Sequence, residues 1–269
     1  MLEKYINSKF LNSEKLEEIK VKYINAKPFP HIELDNFFNN EIINKIKDNF
    51  PDLEKFHSYS RSTINEKKFG LEDQNKFPTV INDFILFLNS QSFLKILQKI
   101  SSINEILIPD PYLVGGGLHQ TKKGGFLKIH SDFYQHQNLK IDRRLNLLLY
   151  LSDNWKKEYG GHLELWNKYM QKCEKKIFFK FNKLCIFSTD NFSFHGYPDP
   201  IICPNDISRK SIALYYYSNG RPDKDKIKEM PNITNLKNKK NKKEVYNKYK
   251  LNNNLRKISF FRKINNFLK

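Results

Sequence analysis

Three residues of this sequence have the types and spacing to hold a metal ion. They are His130 and Asp132, one residue apart, and His195, 63 residues beyond the aspartate. Two neutral imidazoles are good donors to a divalent transition metal, and one carboxylate cancels a unit of its charge. Such a set takes one face of the ion and leaves about three positions open for substrates and oxygen, the facial arrangement used for non-haem Fe(II). Zinc accepts the same donors, so ligand type alone leaves the metal open. An H-x-D pair alone is also a weak signal, because two strand-end residues that merely alternate look identical.

The elements that must position these residues follow from the one-residue spacer. On a strand, side chains alternate with period two, so His130 and Asp132 point one way and Ser131 the other. The apolar run 126–129 before them reads as strand, and His195 must come from a neighbouring strand. Eight short strands are expected, at 112–120, 125–132, 143–151, 161–166, 176–180, 183–188, 193–198 and 209–217. Eight short antiparallel strands closed into a double sheet make a jelly roll. The expected fold class is therefore mainly β with flanking α-helices, a cupin-like double-stranded β-helix.

The region before this core reads as helical support, 1–110, for a core at 112–217. Leu11, Leu16 and Ile19 make a small stripe with Ser13 as its cap. Pro28 and Pro30 force an extended segment into "HIELDNFF". Asn39 or Asn40 caps a helix carrying Ile42, Ile43, Ile46 and Phe50, stopped by Pro51. Two more helices are expected, one from Pro78 to about Leu88 and one over "QSFLKILQKI", covering an outer face of the sheets. Residues 52–76 are polar and mixed, and are expected to be an irregular loop, an active-site flap that shapes the substrate entrance.

Charge divides the chain in two. The formal net charge is +18, but residues 221–269 hold 16 of the 47 Lys and Arg and only four of the 29 Asp and Glu. The first 220 residues thus form the expected catalytic domain, and 221–269 a basic Lys/Asn-rich extension. A basic extension of this kind suits an acidic partner, although no nucleic-acid module accompanies it. The three cysteines, Cys173, Cys185 and Cys203, contain no C-x-x-C and imply neither a disulfide framework nor a thiolate metal site. No apolar leader or 18-residue apolar run is evident, so no membrane span and a cytoplasmic location are expected.

With "GGGLHQTKKGGFLKIHSDF", "RRLNLLLYLSDNW", "GGHLELW", "FHGYPDP" and "SRKSIALYYY" in view, residues 28–220 resemble the Fe(II)- and 2-oxoglutarate-dependent dioxygenases, specifically the prolyl 4-hydroxylase-like branch. The resemblance is strongest from 113 to 217. It implies that His130, Asp132 and His195 bind iron and that Arg209 grips the distal carboxylate of 2-oxoglutarate. Tyr150 matches a family tyrosine that hydrogen-bonds the same carboxylate, and Asn146 is a second residue on that face. It further implies O2 as co-reactant, ascorbate as reductant, and hydroxylation of a C–H bond with release of succinate and CO2.

Arg209 is also favoured by its chemistry. A planar two-donor fork suits a carboxylate, and period two places Ser211, Ala213 and Tyr215 on its side with Lys210 outward. By the same parity Phe126 and Leu148 are expected to shield the site. Lys128 shares the inward parity of His130, which suits a dry pocket poorly unless a bulge turns it away. Gly160 and Gly161 suit a tight turn, with His162 and Trp166 structural. His119 and Gln120 are expected to approach the metal or substrate, and His136 to stand at the mouth. The expected target is a prolyl residue of a protein. The alternatives are a small metabolite, such as a free amino acid or sugar derivative, and a non-catalytic metal-binding jelly roll.

Overall fold

The computed structural model describes residues 2–55, 59–222 and 235–236. Its architecture follows from the alternation in "RRLNLLLYL". Leu145, Leu147 and Leu149 are buried in one apolar cluster with the helices, while Asn146 and Leu148 face a cavity between the sheets. The leucines are thus on the outer face of the sheet and the polar groups on its inner face.

The helices are α1 (Leu2–Tyr5), α2 (Ser13–Asn25), α3 (Asn40–Asp48), α4 (Thr79–Leu88) and α5 (Gln91–Ser101). The strands are β1 (His31–Asp35), β2 (Tyr59–Ser62), β3 (Glu66–Leu71), β4 (Ile108–Pro109), β5 (Gly117–Thr121), β6 (Phe126–Ser131), β7 (Asp142–Tyr150), β8 (Leu163–Trp166), β9 (Cys173–Ile177), β10 (Lys183–Ser188), β11 (His195–Tyr197), β12 (Arg209–Ser218) and β13 (Asn235–Leu236). In hydrogen-bonding order β1, β10, β7, β12 and β5 form one sheet, and β6, β11, β8 and β9 the other. All these pairings are antiparallel. This is the double-stranded β-helix expected from the sequence. Among the described residues no single helix is long and apolar enough to cross a membrane.

All eight expected core strands form, with shifted ends. The first begins at Gly117 rather than 112, because residues 110–116 are a turn. The Asp110 carboxylate accepts from the backbone N–H groups of Tyr112 and Val114, each at 2.8 Å, and Leu113 takes a positive φ. The fifth runs over Cys173–Ile177 instead of 176–180. Helix α2 is capped one residue earlier than expected, by Asn12, whose side chain accepts from Glu14 N at 2.7 Å. Asn39 stands at the N-cap of α3 but directs its amide to the carbonyls of Glu3 and Lys4, tying α1 down.

The main correction concerns residues 52–76. Residues 59–71 are not an irregular flap but the β2–β3 hairpin, and β3 is part of the sheet. Phe69, Gly70 and Leu71 pair with β5, while Glu66 and Lys67 pair with β6. The hairpin therefore joins the two sheets along one side. Its alternation was hidden because the inward positions are charged rather than apolar. Most of the basic extension, 221–269, lies outside the described residues. Asn235–Leu236 pairs with Ser131 and His130 on β6.

Candidate metal centre

Strands β6 and β11 bring the three expected residues together. His195 is directly opposite His130 in the ladder, and Asp132 follows the end of β6. One ligand atom from each of His130, Asp132 and His195 lies within 4.8 Å of the others. His130 Nε2 is 3.5 Å from Asp132 Oδ1, and His195 Nε2 is 3.4 Å from Oδ2. The Nδ1 atoms of His130 and His195 contact the carbonyls of Lys128 and Ser193, each at 2.8 Å. A carbonyl accepts only, so each Nδ1 carries the proton and each Nε2 presents a lone pair to the centre. Burial, reinforced by neighbouring His130, pushes His195 down to about 4 against the pull of Asp132. A neutral imidazole at that position is a donor rather than a salt-bridge cation, so the residues fit a divalent metal.

Two residues that the sequence reading placed elsewhere hold Asp132. Asn146 donates from Nδ2 to Asp132 Oδ2 at 2.7 Å, and Arg143 Nη2 is 3.0 Å from the same oxygen. Arg143 Nε and Nη2 also donate to Asn146 Oδ1 at 2.9 and 2.7 Å. Its guanidinium carbon lies 4.6 Å from the Phe133 ring centroid and 3.4 Å from that of Tyr215. Burial opposes ionisation of Asp132. The Arg143 guanidinium outweighs it and holds the carboxyl well below the usual range. Asn146, read as a cosubstrate contact, here braces the carboxylate. Arg143 was missed, because its role depends on a side chain reaching back past Asp132.

The cavity beside the triad has a volume of about 240 Å³, at the small end for ligand pockets. Arg209, Ser211 and Tyr215 line it from β12, and Leu148 and Leu163 from β7 and β8. Arg209 is 4% exposed. Among the described residues it makes one hydrogen bond, from Nε to Gly161 O at 2.9 Å, and no ion pair. Gly161 has φ +68, and a Cβ there would lie 3.1 Å from Arg209 Cδ, so the glycine gives this arginine its seat. Lys210 points the other way, over Phe50. Tyr150 does not line the cavity. It packs with Phe179, and the Arg209 guanidinium carbon stands 5.0 Å from its ring centroid. The Tyr150 hydroxyl is buried with no hydrogen-bond partner among the described residues.

A bulge in β6 decides which of its side chains reach the cavity. His195 pairs with His130 but Tyr197 pairs with Leu127, so β6 carries one residue more than β11 between these pairs. Leu127 therefore lines the cavity, replacing the expected Phe126, and Lys128 is turned away. Gly196 makes this approach possible, since a Cβ there would lie 2.7 and 2.8 Å from the carbonyl oxygens of Leu127 and Lys128.

The neighbouring residues divide as follows. His119 lines the cavity with Nε2 buried and unpartnered. Gln120 does not: it accepts from Leu53 N and donates to Ser208 Oγ. His136 is fully buried rather than at the mouth, and its Nδ1 accepts from the backbone N–H groups of Asn138 and Leu139. His162 accepts from Phe179 N and contacts Lys157 O, a structural role. The hairpin adds Arg61, Glu66 and Lys68, which the sequence reading did not single out. The alternation of Glu66, Lys68 and Gly70 was the available signal.

The sequence model of the 2OG-Fe(II) oxygenase superfamily matches residues 116–217, which contain the whole triad and Arg209. Residues 116–217 are a 2OG-Fe(II) oxygenase domain. The fold is similar to a prolyl hydroxylase of Trichoplax adhaerens in complex with a hypoxia inducible factor oxygen degradation domain peptide, at 16% identity and a TM-score of 0.56 over 78% of this chain and 92% of that one. It is similar to a Pseudomonas putida prolyl-4-hydroxylase at 11% identity and a TM-score of 0.53, over 76% of this chain and all of that one. HygX of Streptomyces hygroscopicus, with nickel, 2-oxoglutarate and hygromycin B bound, matches at 11% identity and a TM-score of 0.50, over 80% of this chain and 96% of that one. These likenesses show a prolyl-hydroxylase-like fold for the oxygenase domain. The family implies Fe(II) and 2-oxoglutarate, and the donor set fits both.

Proposed function

We propose that this chain hydroxylates a C–H bond of a prolyl residue in a polypeptide, converting 2-oxoglutarate and O2 to succinate and CO2. The carrying observation is one cavity holding two imidazole lone pairs, a braced carboxylate and, on another strand, a buried guanidinium with no anionic partner. His130 Nε2, His195 Nε2 and Asp132 Oδ1 would hold the iron. Arg143 and Asn146 occupy Oδ2, so the aspartate offers one oxygen and stays ionised. The free Nη atoms of Arg209 would take the distal carboxylate, and Tyr150, packed against Arg209 behind the cavity wall with a hydroxyl unpartnered among the described residues, would add a donor only if that hydroxyl turns toward it. Leu127, Leu148 and Leu163 keep water from the reacting carbon.

When bound, iron and 2-oxoglutarate supply oxygen activation, and the protein supplies binding, orientation and a fixed electrostatic setting. Ascorbate would serve to keep the iron reduced. A small metabolite is the second reading, supported by the aminoglycoside bound by HygX on the same fold. The test measures Fe(II)-dependent succinate release together with the gain of one oxygen atom in candidate peptides and metabolites. Full turnover in Asp132→Ala, or turnover without added 2-oxoglutarate, would refute the assignment. The acidic partner for the basic extension is a separate proposal, tested by comparing retention of the full chain and a chain ending at Gly220 on polyanionic resin.

A further inference from the structure

Charges around the cavity do not balance without a third ligand. Arg143 and Arg209 are buried cations on its wall, Lys68 is a third, with a side chain 10% exposed, and the more exposed Arg61 is a fourth, while Asp132 and Glu66 are the carboxylates facing them. Iron and 2-oxoglutarate, with equal and opposite charge, leave this difference as it stands. Positive charge remains in excess along the cavity wall, and a largely enclosed charge without a close partner is costly.

Lys68 is the group left over. Its side chain is 10% exposed, and its nearest carboxylate oxygen, Glu66 Oε2, is 3.7 Å away, too far for a hydrogen bond. Among the described residues its ammonium makes no hydrogen bond. Glu66 is itself shared with Arg61, whose Nη1 is 3.3 Å from Oε1. Among the described residues the adjacent His119 Nε2 is a buried polar atom with no hydrogen-bond partner. Opposite residues in a ladder share a face: Arg209 faces Thr121 and Gly70 faces His119, so Lys68 extends the Thr121–Arg209 row onto the hairpin. Both carboxylates of 2-oxoglutarate already have their places, at the metal and at Arg209.

We infer that the substrate carries a carboxylate of its own, and that Lys68 on the β2–β3 hairpin, with His119 beside it, receives this group. The inference rests on the oxygenase reading and narrows its substrate to anionic molecules. The carboxylate has two sources, an Asp or Glu side chain flanking the target residue of a polypeptide, or a free small acid.

The test is retention on the full chain loaded with Mn(II) and 2-oxoglutarate in the absence of O2, read by mass spectrometry. One arm offers end-blocked proline-centred peptides varied at neighbouring positions. The other offers small carboxylic acids, each paired with its carboxamide. In one arm the anionic form is expected to be enriched by about tenfold or more, the scale of a hydrogen bond between charged groups. The arm that responds identifies the source. Lys68→Gln is expected to abolish the enrichment, Lys68→Arg to retain it, and Lys68→Glu to turn it toward cationic peptides. No anionic preference in either arm, or one that survives Lys68→Gln, overturns the inference while leaving the oxygenase site intact. A Lys68→Gln defect confined to 2-oxoglutarate binding also overturns it, assigning the lysine to the cosubstrate. Failure of the unaltered chain to bind Mn(II) and 2-oxoglutarate would refute the oxygenase reading itself, and the inference with it.

Discussion

Arg143 Nη2 stands 3.0 Å from Oδ2 of Asp132, and the same arginine reaches that oxygen a second time through Asn146. One oxygen of the carboxylate is thereby held by the protein and the other is left for a metal. Removing such a support typically weakens metal binding by about 10- to 100-fold. Asn146→Ala and Arg143→Met are each expected to fall in this range for Mn(II), measured by isothermal titration. Wild-type affinity in both variants would show that Asp132 needs no brace.

Arg209 gives a sharper prediction. Losing one partner of a buried charge pair costs about 2–5 kcal/mol, or roughly 30- to several-thousand-fold in affinity. Arg209→Gln is expected to raise the dissociation constant for 2-oxoglutarate by that factor and leave metal binding in place. Tyr150→Phe is expected to cost about tenfold or less, the scale of one hydrogen bond. Lys210→Gln is the control, since Lys210 faces away from the cavity. A larger effect from Lys210 than from Arg209 would exchange their roles.

At Gly196 the prediction concerns the backbone. A methyl group there meets two carbonyl oxygens at under 3 Å, so β11 must move off β6. Overpacking of this kind costs about 1–3 kcal/mol. Gly196→Ala is expected to lower the urea midpoint by a corresponding amount and to weaken metal binding, because His195 is the preceding residue. A stable variant with normal affinity would mean the two strands can separate without loss.

Acid stability follows from three histidines that are not members of the triad. Burial, ahead of other causes, holds His31, His119 and His162 below the ordinary value of 6.5. The folded state then binds fewer protons than the unfolded chain. Stability is full above about pH 6.5 and falls as pH drops below it, by at most about 1.4 kcal/mol per pH unit for each histidine. The metal-free protein is expected to show a declining urea midpoint between pH 7.5 and 5.5. A flat profile over that interval would contradict the burial of these rings.

The triad could be read from the sequence because period two acts over a single strand. His130 and Asp132 share a face by local geometry, and a partner histidine in a later strand suffices. Arg209 was legible for the same reason, with Ser211 and Tyr215 repeating its side. Arg143 was not, since two arginines in succession look equivalent until the fold sends one inward and Arg144 outward to Glu105 and Ser218. The hairpin was missed because a strand's inward face is sought as the apolar one, and here Glu66 and Lys68 face the cavity while Phe69 and Leu71 pack outward on the helix-side cluster. The parity conflict at Lys128 was the one local trace of the bulge.

Strand β3 is hydrogen-bonded along both of its edges, to β2 on one side and to β5 and then β6 in succession on the other. Its main chain is therefore clamped, while the side chains at 66 and 68 line the chamber. Exchanging those two side chains is expected to alter which guests the cavity admits without disturbing the strands that carry His130, Asp132 and His195. A change of selectivity would then need only single substitutions on a backbone that stays as it is.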